Sequence, residues 1–265
     1  MYSAPQMVLK YLQYLLSASN SRGHGMHSPF VFNFIKNVLN DDRNFYAYNQ
    51  IEQRRQQLLQ NKTIINIADM GAGSKTLPFT QRSINSIAKS SLKSKKFSQL
   101  LFRMVDYYQP KNLLELGTSL GITSSYLATA NINAKVVTLE GASEVAAIAN
   151  KGFQQLNLKN ISLIEGNFDD TLSAAIHQLK IIDFAFIDGN HKYKPTINYF
   201  NQILQASHNN SIIILDDIHW SKEMEDAWHY VQNHSETTAT IDLFFIGVVI
   251  LNKDFKVKQH FKVRF

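Results

Sequence analysis

The sequence contains no cysteine among its 265 residues. This absence excludes a disulfide framework, thiolate zinc sites, iron–sulfur clusters and a cysteine nucleophile. Long apolar runs are also missing, since no stretch approaches the roughly 18 uninterrupted apolar residues of a membrane-spanning helix. The apolar part of the N-terminal segment is too short and too polar for a signal peptide. We therefore expect no membrane span and a cytoplasmic location.

The charge is unevenly distributed along the chain. Residues 1–95 contain 12 Lys and Arg against 4 Asp and Glu, whereas residues 96–265 contain 15 against 17. A basic half is typical either of contact with an acidic partner, nucleic acid included, or of a solvated basic face. No recognised nucleic-acid module surrounds the tightest basic cluster. That cluster comprises Lys89, Lys93, Lys95 and Lys96.

The apolar spacing changes character near residue 110. Four segments before this point have helical spacing, with short polar turns between them. After it, short and nearly continuous apolar segments alternate with helical ones, a pattern typical of a parallel sheet covered on both faces. The closing segments 238–244 and 247–252 are β-rich and closely spaced, which predicts an antiparallel hairpin.

The sequence therefore predicts an α/β fold, a Rossmann-like doubly wound and mostly parallel sheet with a terminal antiparallel hairpin, preceded by a mainly helical N-terminal extension. We predict two domains, a helical extension or substrate cap at 1–95 and the sheet-bearing domain at 96–265. A doubly wound sheet binds its ligand at the carboxyl ends of its strands, so the site is expected there. The predicted strands are 112–116, 135–139, 161–165, 182–187 and 211–215.

A glycine turn follows the first of these strands. Glycines at a strand-to-helix turn let the backbone approach a ligand closely, and the helix N-terminus offers unpaired amides. The spacing is Glu-x-Gly-x-x-x-Gly, with Thr118 where a dinucleotide site has its second glycine. An acidic strand end suits the cationic amino-acid end of S-adenosylmethionine (SAM) and would repel a pyrophosphate. The predicted cofactor residues here are Glu115, Gly117, Thr118, Ser119 and Gly121.

The next two strands end in further polar residues. Glu140 and Gly141 follow the second strand, where a carboxylate can accept hydrogen bonds from both ribose hydroxyls of an adenosine. NAD-binding folds share this feature, so it favours adenosine without choosing the cofactor. At the end of the third strand, Asn167 or Asp169 could bind the adenine and Phe168 could stack on it, unless this is an ordinary strand-ending turn.

These motifs together resemble the small-molecule O-methyltransferase branch of class I SAM-dependent methyltransferases, which includes catechol and caffeoyl-CoA O-methyltransferases. The resemblance covers about residues 85–252 and implies that 96–265 form a methyltransferase domain acting on a hydroxyl of a small, catechol-like acceptor. It also implies that the turn near residues 90–95 helps close over SAM. The motifs occur in this order: LELGTSLG at 114–121, EG at 140–141, IDGNH at 187–191 and LDD at 215–217.

Carboxylates also end the fourth and fifth strands. Asp188, Asp216 and Asp217 are expected to lie together and to repel one another unless a cation joins them, for which Mg²⁺ or another divalent ion is the natural choice. The resembling family holds its metal at the matching positions with Asp, Asp and Asn. Because Asp217 replaces the Asn, the metal requirement is left open. Asp188 is also expected to border the cofactor.

Histidines near these carboxylates are the predicted bases. His191 lies three residues after Asp188, where the catechol enzyme carries a catalytic lysine. It could deprotonate the acceptor hydroxyl, join the metal ligands, or be an ordinary polar loop residue. We predict Asp188 and His191 as the catalytic pair, with His219 as a weaker candidate for base or ligand. Trp220 either walls the acceptor pocket or packs in the core.

Two turns in the first 95 residues imitate functional motifs. Residues 69–74 have the glycine spacing of a nucleotide turn, but Thr76-Leu77-Pro78 interrupts any helix that would follow. We expect a structural or lid loop there. Residues 22–30 bring two histidines and an arginine into a glycine-rich turn, yet further zinc ligands are not evident nearby.

The expected partner is therefore a small hydroxylated acceptor, without a membrane. Methyl transfer to RNA or protein is an alternative that the basic first 95 residues favour, and a non-catalytic SAM- or nucleotide-binding module is another. The glycine spacing disfavours a NAD oxidoreductase. Nucleic acid is not excluded as a partner, and the sequence leaves the choice between monomer and homodimer open.

Overall fold

The computed structural model describes residues 1–19, 28–67 and 80–265. The glycine turn at 69–74 lies outside the described residues, as does the turn at 22–30 up to residue 27. Contacts divide the chain into two compact units. We call residues 42–180 the central unit, and residues 1–41 together with 181–265 the flanking unit.

The described helices and strands alternate regularly after residue 110. The helices are α1 (Ala4–Ser17), α2 (Pro29–Phe34) continued by a π-helical turn (Ile35–Leu39), α3 (Tyr46–Gln60), α4 (Ile84–Ser91), α5 (Lys95–Tyr108), α6 (Ile122–Ala130), α7 (Ser143–Gln155), α8 (Phe168–Leu179), α9 (Tyr193–Gln205) and α10 (Lys222–Asn233). The strands are β1 (Ile64–Ile67), β2 (Thr80–Ser83), β3 (Asn112–Leu116), β4 (Lys135–Glu140), β5 (Ile161–Glu165), β6 (Ile182–Ile187), β7 (Ser207–Asp216), β8 (Ala239–Asp242), β9 (Ile246–Ile250) and β10 (Gln259–Lys262).

The central unit contains three parallel strands in the order β3-β4-β5. Leu113 pairs with Val136, and Val137 pairs with Ser162, so all three strands end at the same edge. The last four residues of β3 are completely buried, as expected for a parallel strand covered on both faces. Helices α6, α7 and α8 connect or follow these strands, which brings each strand-to-helix turn to the carboxyl edge.

A helical layer precedes β3 in the central unit. Helices α3, α4 and α5 pack with α6 around an aromatic group in which Phe102 lies 5.1 Å from Tyr48, centroid to centroid. The antiparallel hairpin β1–β2 belongs to the same unit and contacts α7. Neither this hairpin nor α4 was predicted, because β1 is four residues long and α4 is eight, too short for a clear apolar period.

The flanking unit contains five strands in the order β10-β8-β9-β7-β6. Strands β6 and β7 are parallel, whereas β9 runs antiparallel to both β7 and β8. The predicted α/β fold, with a mostly parallel sheet and a terminal antiparallel hairpin, is thereby confirmed. Strand β10 was not predicted; it pairs in parallel with β8 and is mostly exposed, so it lacks the apolar run that marks a buried strand.

Helix α1 packs on the end of the hairpin in the flanking unit. Tyr11 and Tyr14 contact the buried ring of Phe244, with centroid separations of 4.9 and 5.3 Å. Lys10 forms an ion pair of 2.8 Å with Glu225 of α10. None of the helices in the described part of the chain is long and apolar enough to cross a membrane.

Candidate cofactor and metal sites

The glycine turn after β3 is a tight loop fastened to β4. The backbone N–H groups of Gly117 and Thr118 both donate to the carbonyl oxygen of Leu139, each at 3.0 Å. Gly117 has φ 102° and Ser119 has φ 47°. Glycine adopts such backbone angles at little cost, whereas a serine does so only when its surroundings hold it there. The turn is therefore a fixed shape at the carboxyl edge of the sheet.

Gly121 is needed for helix packing as well as for its backbone conformation. It precedes α6 with φ 81°, and a Cβ built on it would lie 2.8 Å from the ring of Phe153 and 3.1 Å from Cβ of Ala149. Both neighbours belong to α7. The close approach of α6 to α7 therefore depends on this glycine. Helix packing alone is thus a sufficient reason for a glycine at position 121, whether or not a ligand binds at the turn.

Glu140 at the end of β4 organises the surrounding loops. Its carboxylate accepts hydrogen bonds from the backbone N–H groups of Ser119 at 2.8 Å and Ala142 at 3.0 Å. Burial raises the pKa of Glu140 above its usual value, although hydrogen bonds from Ala142, Ser119 and Gly141 lower it in part. A half-buried carboxylate at this edge has lone pairs left for hydroxyl donors, as the predicted ribose contact requires.

Glu115 lies inside the fold, whereas Glu140 is half-buried at the edge of the sheet. Glu115 is completely buried, and its carboxylate accepts hydrogen bonds from the hydroxyls of Ser124 and, at 2.6 Å, Thr138. Thr118 lies 2.6 Å from the same Thr138 hydroxyl. Because that hydroxyl has one proton, which goes to Glu115, Thr118 must be the donor in this second bond. Glu115 thus joins β3, β4 and α6 from inside the fold; its predicted contact with the amino-acid end of SAM stays a prediction.

The hydroxyl of Ser119 tests whether the turn fits a cofactor. This Oγ atom is buried and has no hydrogen-bond partner among the described residues. An unsatisfied buried hydroxyl costs about 1–3 kcal/mol, and a ligand with polar groups at the turn would remove that cost. The Ser119 hydroxyl and the Glu140 carboxylate are polar groups at this turn, and Gly117 has no side chain beside them, as a site for the amino-acid and ribose parts of SAM would need. The residues present therefore fit SAM.

The end of β5 has a clear local role. Asn167 precedes α8, and its side chain accepts a hydrogen bond of 3.0 Å from the N–H of Asp169. This is an N-cap, which satisfies one of the free amides at a helix start. Phe168 begins α8 and is half-buried. Asn167 is thus used in capping, and the predicted adenine contacts of Asn167 and Phe168 stay predictions.

The turn before α5 is held by a buried arginine. Arg55 of α3 donates to the carbonyl oxygen of Lys93 at 2.7 Å and to the hydroxyl of Ser98 at 3.2 Å. Its guanidinium also pairs with Glu52 at 3.0 Å, and Glu52 accepts a bond of 2.8 Å from the hydroxyl of Tyr126. The turn that the family resemblance assigns to cofactor closure therefore has a fixed attachment within the central unit. Sequence reasoning missed Arg55, because one arginine in a polar helix gives no signal of burial.

A group of possible metal ligands lies in the flanking unit. Asp188, His191 and Asp216 each present a ligand atom, and these atoms all lie within 4.8 Å of one another. His191 Nε2 is 3.5 Å from Asp188 Oδ1. Asp216 is almost completely buried, whereas the other two are partly exposed. The structure therefore brings together the two predicted catalytic residues and one further predicted metal ligand.

Asp217 is not among the ligand atoms of this group in the described part of the chain. Its backbone has φ 53°, its N–H donates to the carbonyl oxygen of Phe245 at 2.7 Å, and its own carbonyl accepts from the N–H of Trp220. The left-handed conformation turns the chain directly after Asp216. Side chains of adjacent residues then leave the backbone in different directions, and the third residue of this group is His191. The predicted metal contact of Asp217 stays a prediction.

His219 lies outside the metal group and has two carboxylate partners. Its Nδ1 is 3.1 Å from Glu225, its Nε2 is 2.9 Å from Asp242, and Phe244 stacks on its ring at 5.1 Å. Burial lowers the pKa of His219, but the hydrogen bonds and charges of Asp242 and Glu225 outweigh burial, so its pKa is raised. A ring with both nitrogens engaged is a structural link, and its predicted role as base or ligand has no support in this arrangement.

Part of the sequence is similar to known methyltransferases. Residues 114–218 match a family model described as a methyltransferase domain. A catechol O-methyltransferase from Niastella koreensis is 31% identical over 126 residues, which cover 46% of this chain and 55% of that protein. The match thus spans about half the length of the curated relative.

Solved structures resemble the chain over a greater length. An O-methyltransferase from Bacillus cereus, crystallised with SAH, has a TM-score of 0.56 at 19% identity and covers 83% of this chain and 97% of its own. The O-methyltransferase TomG from Streptomyces achromogenes, crystallised with SAM, has a TM-score of 0.56 at 17% identity and covers 79% and 91%. These likenesses identify the fold.

Proposed function

We propose that this chain, which has the fold of class I SAM-dependent methyltransferases, transfers a methyl group from SAM to a hydroxyl of a small acceptor. The observation that carries the proposal is the turn at 117–121, whose buried Ser119 hydroxyl has no partner among the described residues and whose shape is fixed by Glu140. The match of residues 114–218 to a methyltransferase domain supports it. The catechol O-methyltransferase relative favours a catechol-like acceptor.

The central unit would hold SAM through three kinds of contact. Glu140 would accept hydrogen bonds from the ribose, Ser119 would donate to or accept from the amino-acid part, and the Gly117 backbone would allow close approach. SAM supplies an activated methyl on its sulfonium, which passes to the acceptor oxygen while the sulfur keeps the bonding electrons and the hydroxyl loses its proton. Alignment of the oxygen with the S–CH₃ bond provides much of the rate.

The flanking unit would bind the acceptor hydroxyl and remove its proton. Asp188, His191 and Asp216 form the group of side chains that can do so, because they supply carboxylate and imidazole atoms within 4.8 Å. A divalent cation bound there would lower the pKa of the acceptor hydroxyl and orient its oxygen. We also propose a cytoplasmic location, which a chain without cysteine fits.

An activity assay with a panel of acceptors tests the proposal. Incubation with SAM and catechols, phenols and hydroxycinnamoyl esters is expected to yield SAH and a methylated product with at least one class. Asp188→Ala is expected to lower turnover by about 100-fold or more while SAM affinity stays within about threefold. Full activity of that variant would remove Asp188 from the chemistry.

RNA is the second candidate acceptor, because the chain is basic before residue 96. Lys89 and Lys95 are exposed at the ends of α4 and α5. If RNA is the acceptor, RNA binding should weaken steeply with salt and with these lysines replaced by glutamine. We expect instead that methyl transfer to small acceptors is insensitive to both changes. Methylated RNA together with inert small acceptors would favour the alternative.

A further inference from the structure

The metal group of the flanking unit contains a nitrogen donor where the sequence predicts a third carboxylate. We propose that His191, and not Asp217, completes this site with Asp188 and Asp216, and that the site therefore prefers a divalent transition ion over Mg²⁺. The proposal deepens the proposed function, because it names the ion at the acceptor side. Metal binding itself can be measured without any methyl transfer.

The separations in the group suit a shared ion. Three ligand atoms that each lie about 2.1 Å from one metal are at most about 4.2 Å apart. The ligand atoms here lie within 4.8 Å, and His191 Nε2 is 3.5 Å from Asp188 Oδ1. An inward shift of about half an ångström, which rotation of partly exposed side chains supplies, brings all three into the distance range of coordination.

The loop that carries His191 is held in place. Asn190 and His191 both have positive φ, 65° and 21°, so the chain turns sharply after Asp188 and directs the histidine back toward it. The side chain of Asn190 donates a hydrogen bond of 3.1 Å to the hydroxyl of Tyr199, a completely buried residue of α9. His191 therefore reaches the two aspartates from a loop that is attached to the core.

The donor set determines which ions bind well. Three carboxylates form a hard oxygen site of the kind that Mg²⁺ and Ca²⁺ prefer. Imidazole nitrogen instead suits transition ions such as Fe²⁺, Ni²⁺ and Zn²⁺. Affinity rises from Fe²⁺ through Co²⁺ and Ni²⁺ to Cu²⁺ and falls again at Zn²⁺. A site whose third ligand is His191 therefore binds these transition ions better, relative to Mg²⁺, than a site whose third ligand is Asp217. With the ion bound, His191 Nε2 would be a ligand, and lowering of the hydroxyl pKa by the ion would replace proton removal by His191.

Titration of the metal-stripped full-length protein with Co²⁺ alone, followed by calorimetry and visible absorption, tests the proposal. We expect Co²⁺ to bind about tenfold or more tightly than Mg²⁺. His191→Asn replaces the imidazole by an amide with an oxygen donor, and is expected to lose the preference for Co²⁺ over Mg²⁺. In the proton NMR spectrum of the Co²⁺-bound protein, the shifted imidazole N–H signal of a metal-bound histidine should be present in the wild type and absent in this variant. Circular dichroism checks that the variant is folded.

Two variants serve as matched controls. Asp217→Asn is expected to keep the Co²⁺ affinity within about threefold, because its carboxylate is not among the ligand atoms. His208→Ala removes an exposed histidine that pairs with Asp183 at 2.8 Å, and is also expected to bind Co²⁺ normally.

Equal binding of Mg²⁺ and Co²⁺ would overturn the proposal. So would unchanged Co²⁺ binding by His191→Asn, or a loss in Asp217→Asn as large as in His191→Asn. A wild-type protein that binds Co²⁺ as expected but neither binds SAM nor methylates any acceptor would contradict the proposed function and leave the metal assignment standing.

Discussion

At the residue scale, Gly121 illustrates how a motif position can have two physical causes. The sequence assigns it to the cofactor, since glycines at such a turn allow close approach of a ligand. The structure adds a packing reason, the 2.8 Å separation between a built Cβ and the ring of Phe153. The two glycines of the motif therefore differ, with Gly117 shaping the turn and Gly121 joining two helices.

Gly121→Ala is expected to destabilise the protein by about 2–4 kcal/mol, because it adds a left-handed alanine and an overpacked contact. Gly152→Ala on α7 is the matched control: its nearest neighbour to a built Cβ is Arg54 Nε at 3.4 Å, and it lies inside a helix, so it is expected to be neutral or slightly stabilising. Urea unfolding of both variants measures the difference. Equal stability of the two would contradict the packing role.

The group formed by Asp188, His191 and Asp216 shows which part of a site the sequence can predict at this scale. Asp188 and Asp216 were placed correctly together, because each ends a buried parallel strand and such strands end at one edge. The choice between Asp217 and His191 depends instead on two positive-φ turns. The residues that adopt these angles are Asn190, His191 and Asp217, and none of them is a glycine. The sequence therefore does not reveal which side chain joins Asp188 and Asp216.

At the element scale, a series of hydrogen bonds and ion pairs joins α1 and the residues before it to the rest of the flanking unit. Lys10 and the hydroxyl of Tyr2 both bind Glu225, at 2.8 and 2.7 Å. Glu225 in turn binds His219, which also binds Asp242 of β8. A protonated His219 lies between two carboxylates, and a neutral one leaves them partly uncompensated.

This link predicts a pH dependence of stability. Because the pKa of His219 is raised in the folded protein, its contribution is complete below the unfolded value of about 6.5 and is lost as the pH rises through the folded value. Thermal unfolding between pH 6 and 9 is expected to show the wild type losing stability relative to His219→Asn. A difference in stability between the two proteins that stays constant from pH 6 to 9 would contradict the role of protonated His219 in this link.

Strand prediction succeeded for the apolar segments that alternate with helices, and failed for four-residue strands whose side chains are mostly exposed or half-exposed. The predicted first, third and fourth strands have the bounds of β3, β5 and β6. Strands β3 and β6 are mostly buried, whereas β5 is half-buried and is predicted from its apolar residues between two helical segments. The hairpin β1–β2 and strand β10 are four-residue strands with mostly exposed or half-exposed side chains. Their sequences therefore do not differ from those of loops.

At the scale of the whole molecule, the sequence order of motifs was sufficient to identify the fold. The glycine turn, the acidic end of β4 and the carboxylates after β6 and β7 follow one another at intervals that a βαβ repeat imposes. The resemblance to class I methyltransferases drawn from them is confirmed by the matched domain and the structural neighbours. The boundary predicted at residue 95 stays a prediction, as do the acceptor and the oligomeric state.

Calorimetric titration with SAM shows directly whether the chain binds the cofactor that the proposed methyl transfer needs. We expect micromolar binding by the wild type, and affinity weaker by about tenfold or more for Glu140→Ala, which loses the carboxylate that holds Ser119 and would bind the ribose. Glu236→Ala, an exposed carboxylate between α10 and β8, is expected to bind SAM as the wild type does. Absence of SAM binding by the wild type would contradict the proposed methyltransferase function, and unchanged affinity of Glu140→Ala would remove Glu140 from the cofactor site.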